Sequence, residues 1–315
     1  MPPCQCAFGA QTNLRLIPSP SSCLSPLRNT RFGEKTYQIF LSHAKTTSSI
    51  RITRIRAIEP AAQQQQPPLD LMDNKLKIAI VGSDYSNVAT HLGVSFFSDL
   101  HDLCKQNSDV IVLCTSILST EAVLRAFPFE GLKRSTLFVD VLSVKEAPRN
   151  LFLRILPPEF DILCTHPMFG PQSGKHCWNG LTFVYDKVRI RDEDRCNRFL
   201  HVFDREDCDM VNMPCHEHDK WEAESQFITH FIGRVLQKLS LESTPINTKG
   251  YEALLELVRN TSGDSFDLFN GLFMYNKNAL EQLERIDMAF ESVKKQLFGE
   301  LHSTLRKQLF GTEVL

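Results

Sequence analysis

The stretch Thr165-His166-Pro167-Met168-Phe169-Gly170-Pro171-Gln172-Ser173-Gly174 carries the strongest chemical signal in this chain of 315 residues. A histidine after an apolar run, between prolines and ahead of glycines, falls where open α/β sheets bind ligands, beyond the carboxyl ends of their strands. Its ordinary pKa of about 6.5 suits proton exchange at neutral pH. The competing reading of His166 is a loop histidine bonded to backbone. Asp140-Val141-Leu142-Ser143-Val144-Lys145 closes the preceding run in the same way. Ser143 is placed to orient the imidazole through its hydroxyl, to cap the helix that begins near Lys145, or to do both. Thr115 and Ser116 close an earlier run, where they either line a cofactor cleft or make a turn. Further along, Gln226 lies three residues before Thr229 and four before His230, so the three share one side of a helix. Polar groups there bind a polar ligand or bond internally. Cys215-His216-Glu217-His218 has a superficial likeness to a metal site, but adjacent residues diverge and no second ligand cluster accompanies them, so no metal is expected.

These residues need a scaffold, and the apolar pattern supplies one. Lys77-Ile78-Ala79-Ile80-Val81-Gly82 reads as the first strand of a dinucleotide-binding fold, yet Ser83-Asp84-Tyr85-Ser86-Asn87-Val88 follows it in place of the G-x-G-x-x-G turn that approaches a pyrophosphate. Only Gly82 of that pattern is present. Further strands are expected at 94–97, 110–114, 137–141, 161–165 and 181–184, alternating with helices at 85–92, 99–106, 119–127 and 145–155. That alternation indicates a parallel sheet covered on both faces. After about residue 192 the pattern turns helical. Trp221, Phe227, Ile228, Phe231, Ile232, Val235, Leu236 and Leu239 recur at three- and four-residue steps, and helices are expected at 249–259, 264–275 and 278–298. Helices this apolar in a small domain imply a homodimer.

Residues 1–58 contain eight Lys/Arg against the single acidic Glu34 and are rich in Ser and Thr, the composition of an organellar transit peptide. The glutamine- and proline-rich residues 59–74 read as a linker. Residues 75–192 then form the nucleotide-binding domain, 193–300 the helical domain and 301–315 a C-terminal tail. Beyond residue 58 the balance is 27 basic to 36 acidic residues, although the whole chain sums to −2. That acidity argues against a nucleic-acid partner. No apolar run approaches the roughly 20 residues of a membrane span, so no membrane partner is expected. Of ten cysteines, seven lie beyond the leader without C-x-x-C spacing, and those within apolar runs read as small buried hydrophobes.

From about Leu76 to Gly299 the chain resembles the prephenate/arogenate dehydrogenase family, in particular its plant arogenate dehydrogenases. The likeness rests on Leu113-Cys114-Thr115-Ser116-Ile117-Leu118-Ser119-Thr120, Phe138-Val139-Asp140-Val141-Leu142-Ser143-Val144-Lys145, the His166 loop, Ser225-Gln226-Phe227-Ile228-Thr229-His230 and Gly263-Asp264-Ser265-Phe266-Asp267-Leu268. The resemblance implies a Rossmann-like domain, a helical dimerisation domain, a place in the plastid, and NADP-dependent oxidative decarboxylation of arogenate to tyrosine. It implies His166 and Ser143 as catalytic residues and Gln172, Gln226, Thr229 and Asp264 as substrate contacts, with Gly82, Thr115, Ser116 and Ser143 toward the cofactor. Asp264 would favour the ammonium of arogenate over the keto group of prephenate. Prephenate dehydrogenase is the alternative within the enzyme class, and a catalytically silent dimer partner the alternative outside it. Where the family continues into a first helix and second strand, Ser83–Leu92 already matches what should follow that strand, a shortfall of about two dozen residues. The strand at 77–81 is therefore expected to lack a neighbour about 4.8 Å away.

Overall fold

Val110–Cys114 and Asp161–Pro167 are buried along their whole length, as short apolar runs must be when helices cover both faces of a sheet. The computed structural model describes residues 38–44, 50–56, 76–82, 95–170 and 173–311. Its strands are β1 (Gln38–Ala44), β2 (Ile50–Arg56), β3 (Lys77–Gly82), β4 (Phe96–Phe97), β5 (Val110–Cys114), β6 (Leu137–Asp140), β7 (Asp161–Pro167), β8 (Thr182–Arg189) and β9 (Asp209–Asn212). They form one sheet in the order β2-β4-β1-β3-β5-β6-β7-β8-β9. The centre, β3-β5-β6-β7, is parallel, and β8 runs antiparallel to β7. Alternate residues feed two cores. Ile111, Leu113, Phe138 and Ile162 face one side, and Val110, Val112, Val139 and Leu163 the other.

The neighbour missing from β3 is replaced by a different piece of chain. β1 pairs parallel with β3, Ile39 opposite Ile78 and His43 opposite Gly82, and β2 folds back antiparallel on β1. Both strands fall inside the segment read as a transit peptide. The helix expected at 85–92 lies outside the described residues.

Three helices of the sheet region match the expected ones, α1 (Leu100–Cys104), α2 (Ile117–Arg125) and α3 (Glu146–Ile155), while α4 (Glu193–Asp204) and α5 (Cys215–Glu222) fall where only a general change to helix was read. α4 buries Phe199, Leu200 and Phe203 against the β5–β6 face, and β9 pairs with β8. The sheet unit thus extends past residue 192, where the change of pattern set its boundary, to Asn212. α5 runs through a π-helical turn, Ala223–Phe227, into α6 (Ile228–Lys238), then α7 (Lys249–Ser262), α8 (Phe266–Met274) and α9 (Ala279–Phe310). α9 continues through the region expected as a tail.

Two glycines set the helical packing. A Cβ on Gly233 would lie 2.1 Å from the Thr261 hydroxyl, so α6 and α7 meet there only because none is present. A Cβ on Gly271 would lie 2.6 Å from Cγ2 of Ile117, the contact that seats α8 on the sheet unit. Val144 and Ile117 from the sheet side join Phe227, Leu272 and Ala279 in a third core between the two parts. The seven cysteines from Cys104 onward form no disulfide among the described residues, and all but Cys177 are buried. Burial pushes the Cys104 and Cys196 thiols up to about 12, so they pack as apolar groups.

Candidate active site

β7 delivers His166 to the carboxyl edge of the sheet with only 3% of its surface exposed. Its Nδ1 lies 2.9 Å from Nε2 of His218 on α5, and Nδ1 of His218 lies 2.9 Å from Oδ1 of Asp219. Asp219 is itself fixed. Its Oδ1 accepts the backbone N–H of Lys145 at 2.7 Å and its Oδ2 that of Glu146 at 2.8 Å, which satisfies the start of α3. Its carbonyl accepts from Asn276 at 2.7 Å, a residue between α8 and α9. A single aspartate therefore joins the sheet unit, α5 and the helical unit behind the imidazole.

Two further networks frame the histidine. Lys145 is buried, pairs with Asp140, and donates to the Thr165 carbonyl at 2.6 Å. The Thr165 hydroxyl donates to the Asp140 carbonyl, so the end of β6 is tied to β7 one residue before His166. One turn beyond His218, Glu222 accepts from Asn276 at 2.6 Å while its Oε1 is buried without a partner. Burial, with the Asp219 charge adding, pushes the Glu222 carboxyl up to about 8 although the Asn276 bond pulls it down. The acid is thus neutral at pH 7. His166 is displaced the opposite way. Burial first, then the charges of His218, Lys145 and His230, hold it well below 6.5, so a neutral imidazole stands there at physiological pH.

The expected residues divide. Ser143 is buried in the β6–α3 connection, yet neither role read for it is filled by a bond. His218 takes the imidazole Nδ1, Asp219 takes the α3 amides, and the Ser143 hydroxyl makes no hydrogen bond among the described residues. Thr115 bonds the Thr120 hydroxyl at 2.8 Å, and Ser116 caps α2 by accepting from Ser119 N–H at 3.3 Å. Gly82 ends β3 where a Cβ would come within 2.7 Å of the Cys114 carbonyl, so close strand approach requires the glycine. Gln226 lies in the π turn with its Oε1 buried and unpartnered. Thr229 is exposed and donates to its own helix at Ser225, 2.9 Å away. Asp264 faces His230 at 3.1 Å, while its carbonyl accepts from Arg234 at 2.7 Å. Gln172 lies outside the described residues.

Sequence reasoning missed His218, Asp219, Glu222 and Asn276. The signal was a four-residue step, His218, Glu222, Gln226, His230 and Arg234, running the length of α5 and α6. In an unbroken α-helix that step drifts by about 40° each time, about 160° over the set. The looser π turn at its middle counteracts the drift and keeps the stripe on one side, a device common at functional sites. At the carboxyl end of β6 the Ser143 hydroxyl, which makes no hydrogen bond among the described residues, is a polar group that a nicotinamide end would satisfy, whereas the unpartnered Oδ2 of Asp140 is fully buried. The residues that would meet a pyrophosphate follow Gly82 and lie outside the described ones.

A parallel sheet with a buried histidine at its carboxyl edge, closed by a helical unit, is the architecture of two-domain dinucleotide-binding dehydrogenases. Residues 70–187 match the family model for the prephenate dehydrogenase nucleotide-binding domain, and residues 235–309 match that for a TYRAAT1-like C-terminal domain. The chain is 67% identical over 236 residues to chloroplastic arogenate dehydrogenase 2 of Arabidopsis thaliana, covering 74% of this chain and 66% of the relative. It is also 67% identical over 230 residues to chloroplastic arogenate dehydrogenase 1 of the same plant, covering 72% of this chain and 36% of that one. It therefore spans no more than about two thirds of the length of either. The fold is similar to that of prephenate dehydrogenase from Aquifex aeolicus, with a TM-score of 0.51 at 16% identity over 67% of this chain and 76% of that one. A putative prephenate dehydrogenase from Corynebacterium glutamicum gives 0.53 at 15% identity, over 76% and 82%. The chain belongs to the prephenate/arogenate dehydrogenase family.

Proposed function

We propose that this chain carries the catalytic corner of a chloroplast arogenate dehydrogenase, which oxidatively decarboxylates arogenate to tyrosine with NADP. The observation that carries the reading is the neutral, buried His166, held from behind by His218 with its Nε2 left for a substrate. His166 accepts the proton of the ring hydroxyl as the ring loses its carboxylate and becomes aromatic, so the protein has mainly to position and polarise. A nicotinamide held at the ends of β5 and β6 would supply the hydride acceptor. Ser143 follows β6, and its hydroxyl, which makes no hydrogen bond among the described residues, would orient the reacting groups there. Gln226, His230 and Arg234 on the helical stripe, with Gln172 by family resemblance, offer polar groups to the rest of the substrate.

With arogenate and excess NADP, His166→Asn is expected to lower kcat by roughly 10²–10⁴-fold, the usual contribution of a positioned proton acceptor. An unchanged rate would end the reading. Asp264 separates arogenate from prephenate as substrate, because its carboxylate beside His230 gives an ammonium a charge partner that a keto group cannot use. Asp264→Asn is expected to shift the arogenate-to-prephenate ratio of kcat/KM toward prephenate, and a constant ratio would remove Asp264 from the specificity argument. The apolar side chains exposed along α9, among them Phe290, Val293, Leu297, Leu301 and Leu305, support assembly as a homodimer.

A further inference from the structure

We infer that Asp219, acting through His218, fixes which ring nitrogen of His166 carries its proton, so that the lone pair faces the substrate. The inference deepens the functional reading above and rests on it for its purpose, though not for its geometry. Hydrogen-bond accounting sets every step. The Asp219 oxygens already accept backbone N–H groups of Lys145 and Glu146, donors that cannot reverse. The oxygen facing His218 therefore accepts again, and His218 Nδ1 must bear the hydrogen. When His218 carries that hydrogen alone, its Nε2 is bare and can only accept from His166 Nδ1 at 2.9 Å. His166 in turn keeps its hydrogen on Nδ1 and an open lone pair on Nε2.

The same chain serves the charged state. When His166 takes a proton on Nε2, its Nδ1–H stays bonded to His218, and the carboxylate one ring away faces the new positive charge. Lys145 and His230 are among the groups that oppose that charge. All three members are at least 97% buried, which keeps water from supplying a competing partner. The anchoring of Asp219 to α3 and to Asn276 holds the ring pair in place. His218 and Asp219 are positioning residues, since neither reaches the reacting atoms except through His166.

The test is the tautomer itself, read by long-range 15N–1H NMR on the whole chain labelled at histidine, with signals assigned by their loss in His166→Asn and His218→Asn. At pH 7.5 the hydrogen is expected on Nδ1 of both rings. A hydrogen on Nε2 of either ring in the unmodified protein overturns the inference, whether or not any variant folds. In Asp219→Asn the amide can donate, so both rings are expected to switch to the Nε2–H form. Retention of Nδ1–H on His166 in that folded variant also overturns it. The outcome is separable from the functional reading. Turnover in His166→Asn decides whether His166 is the base, and the tautomers decide what orients it.

Discussion

The two ends of the β3-to-β7 sheet core have been treated differently by this sequence. At β3 the chain keeps the strand and Gly82, then departs from the glycine-rich pattern, and the edge is covered by β1 from far upstream. At β6 and β7 the groups that hold His166 are interlocked, from the Lys145–Asp140 pair to the Asp219 bridge. The His166 end draws its support from α3, α5 and the α8–α9 connection. A change confined to the Gly82 end is therefore expected to leave the His166 hydrogen bonds standing.

Cofactor affinity gives the sharpest way to break that contrast. Hydrogen bonds to a charged pyrophosphate contribute about 1.5–3 kcal/mol each, so losing two or three weakens binding by roughly a thousandfold or more. Calorimetric titration with NADP, run beside arogenate dehydrogenase 2 of Arabidopsis, is expected to show that gap; micromolar binding by this chain would mean that residues 83–94 rebuild a phosphate site. At the other end, Lys145→Met leaves Asp140 buried without its counter-charge and is expected to cost about 3–5 kcal/mol in denaturant unfolding. A loss under about 1 kcal/mol would show the catalytic end to be less interlocked than its bonds suggest.

The smallest effect concerns pH. Glu222 is raised in the folded chain to about 8 from an ordinary value of 4.5, so between those limits the folded state binds the extra proton. Stability from this group is complete below about 4.5 and is lost as pH rises through 8. Glu222→Gln is expected to flatten the decline of unfolding free energy across that window. An equally steep decline in the variant would place its source elsewhere.

The strands and the place of His166 were legible because runs such as Val110-Ile111-Val112-Leu113-Cys114 are continuous and bounded by turn residues. The partners of His166 were not. Asp219 and Lys145 meet across 74 positions, and nothing local marks an aspartate that caps a helix so far away in sequence. His218 was masked by its neighbours, whose Cys-His-Glu-His run suggested metal ligands rather than one buried ring. β9 was missed because Asp209-Met210-Val211-Asn212 is short and half polar. Ile50-Arg51-Ile52-Thr53-Arg54-Ile55-Arg56 alternates as an edge strand does, but its basic, acid-poor setting pointed to a leader instead.

The π turn at Ala223–Phe227 changes what kinds of inheritance this protein tolerates. Five residues at the wider π pitch turn the chain through about the same angle as four in an α-helix, so removing one residue there would close the bulge to α and leave the bearing of α6 almost unchanged. His230, Arg234 and the Gly233 notch would keep their sides. The same deletion within the regular turns of α6 would swing everything after it by about 100° around the helix axis. For these five positions, length has a slack that the rest of the helix lacks.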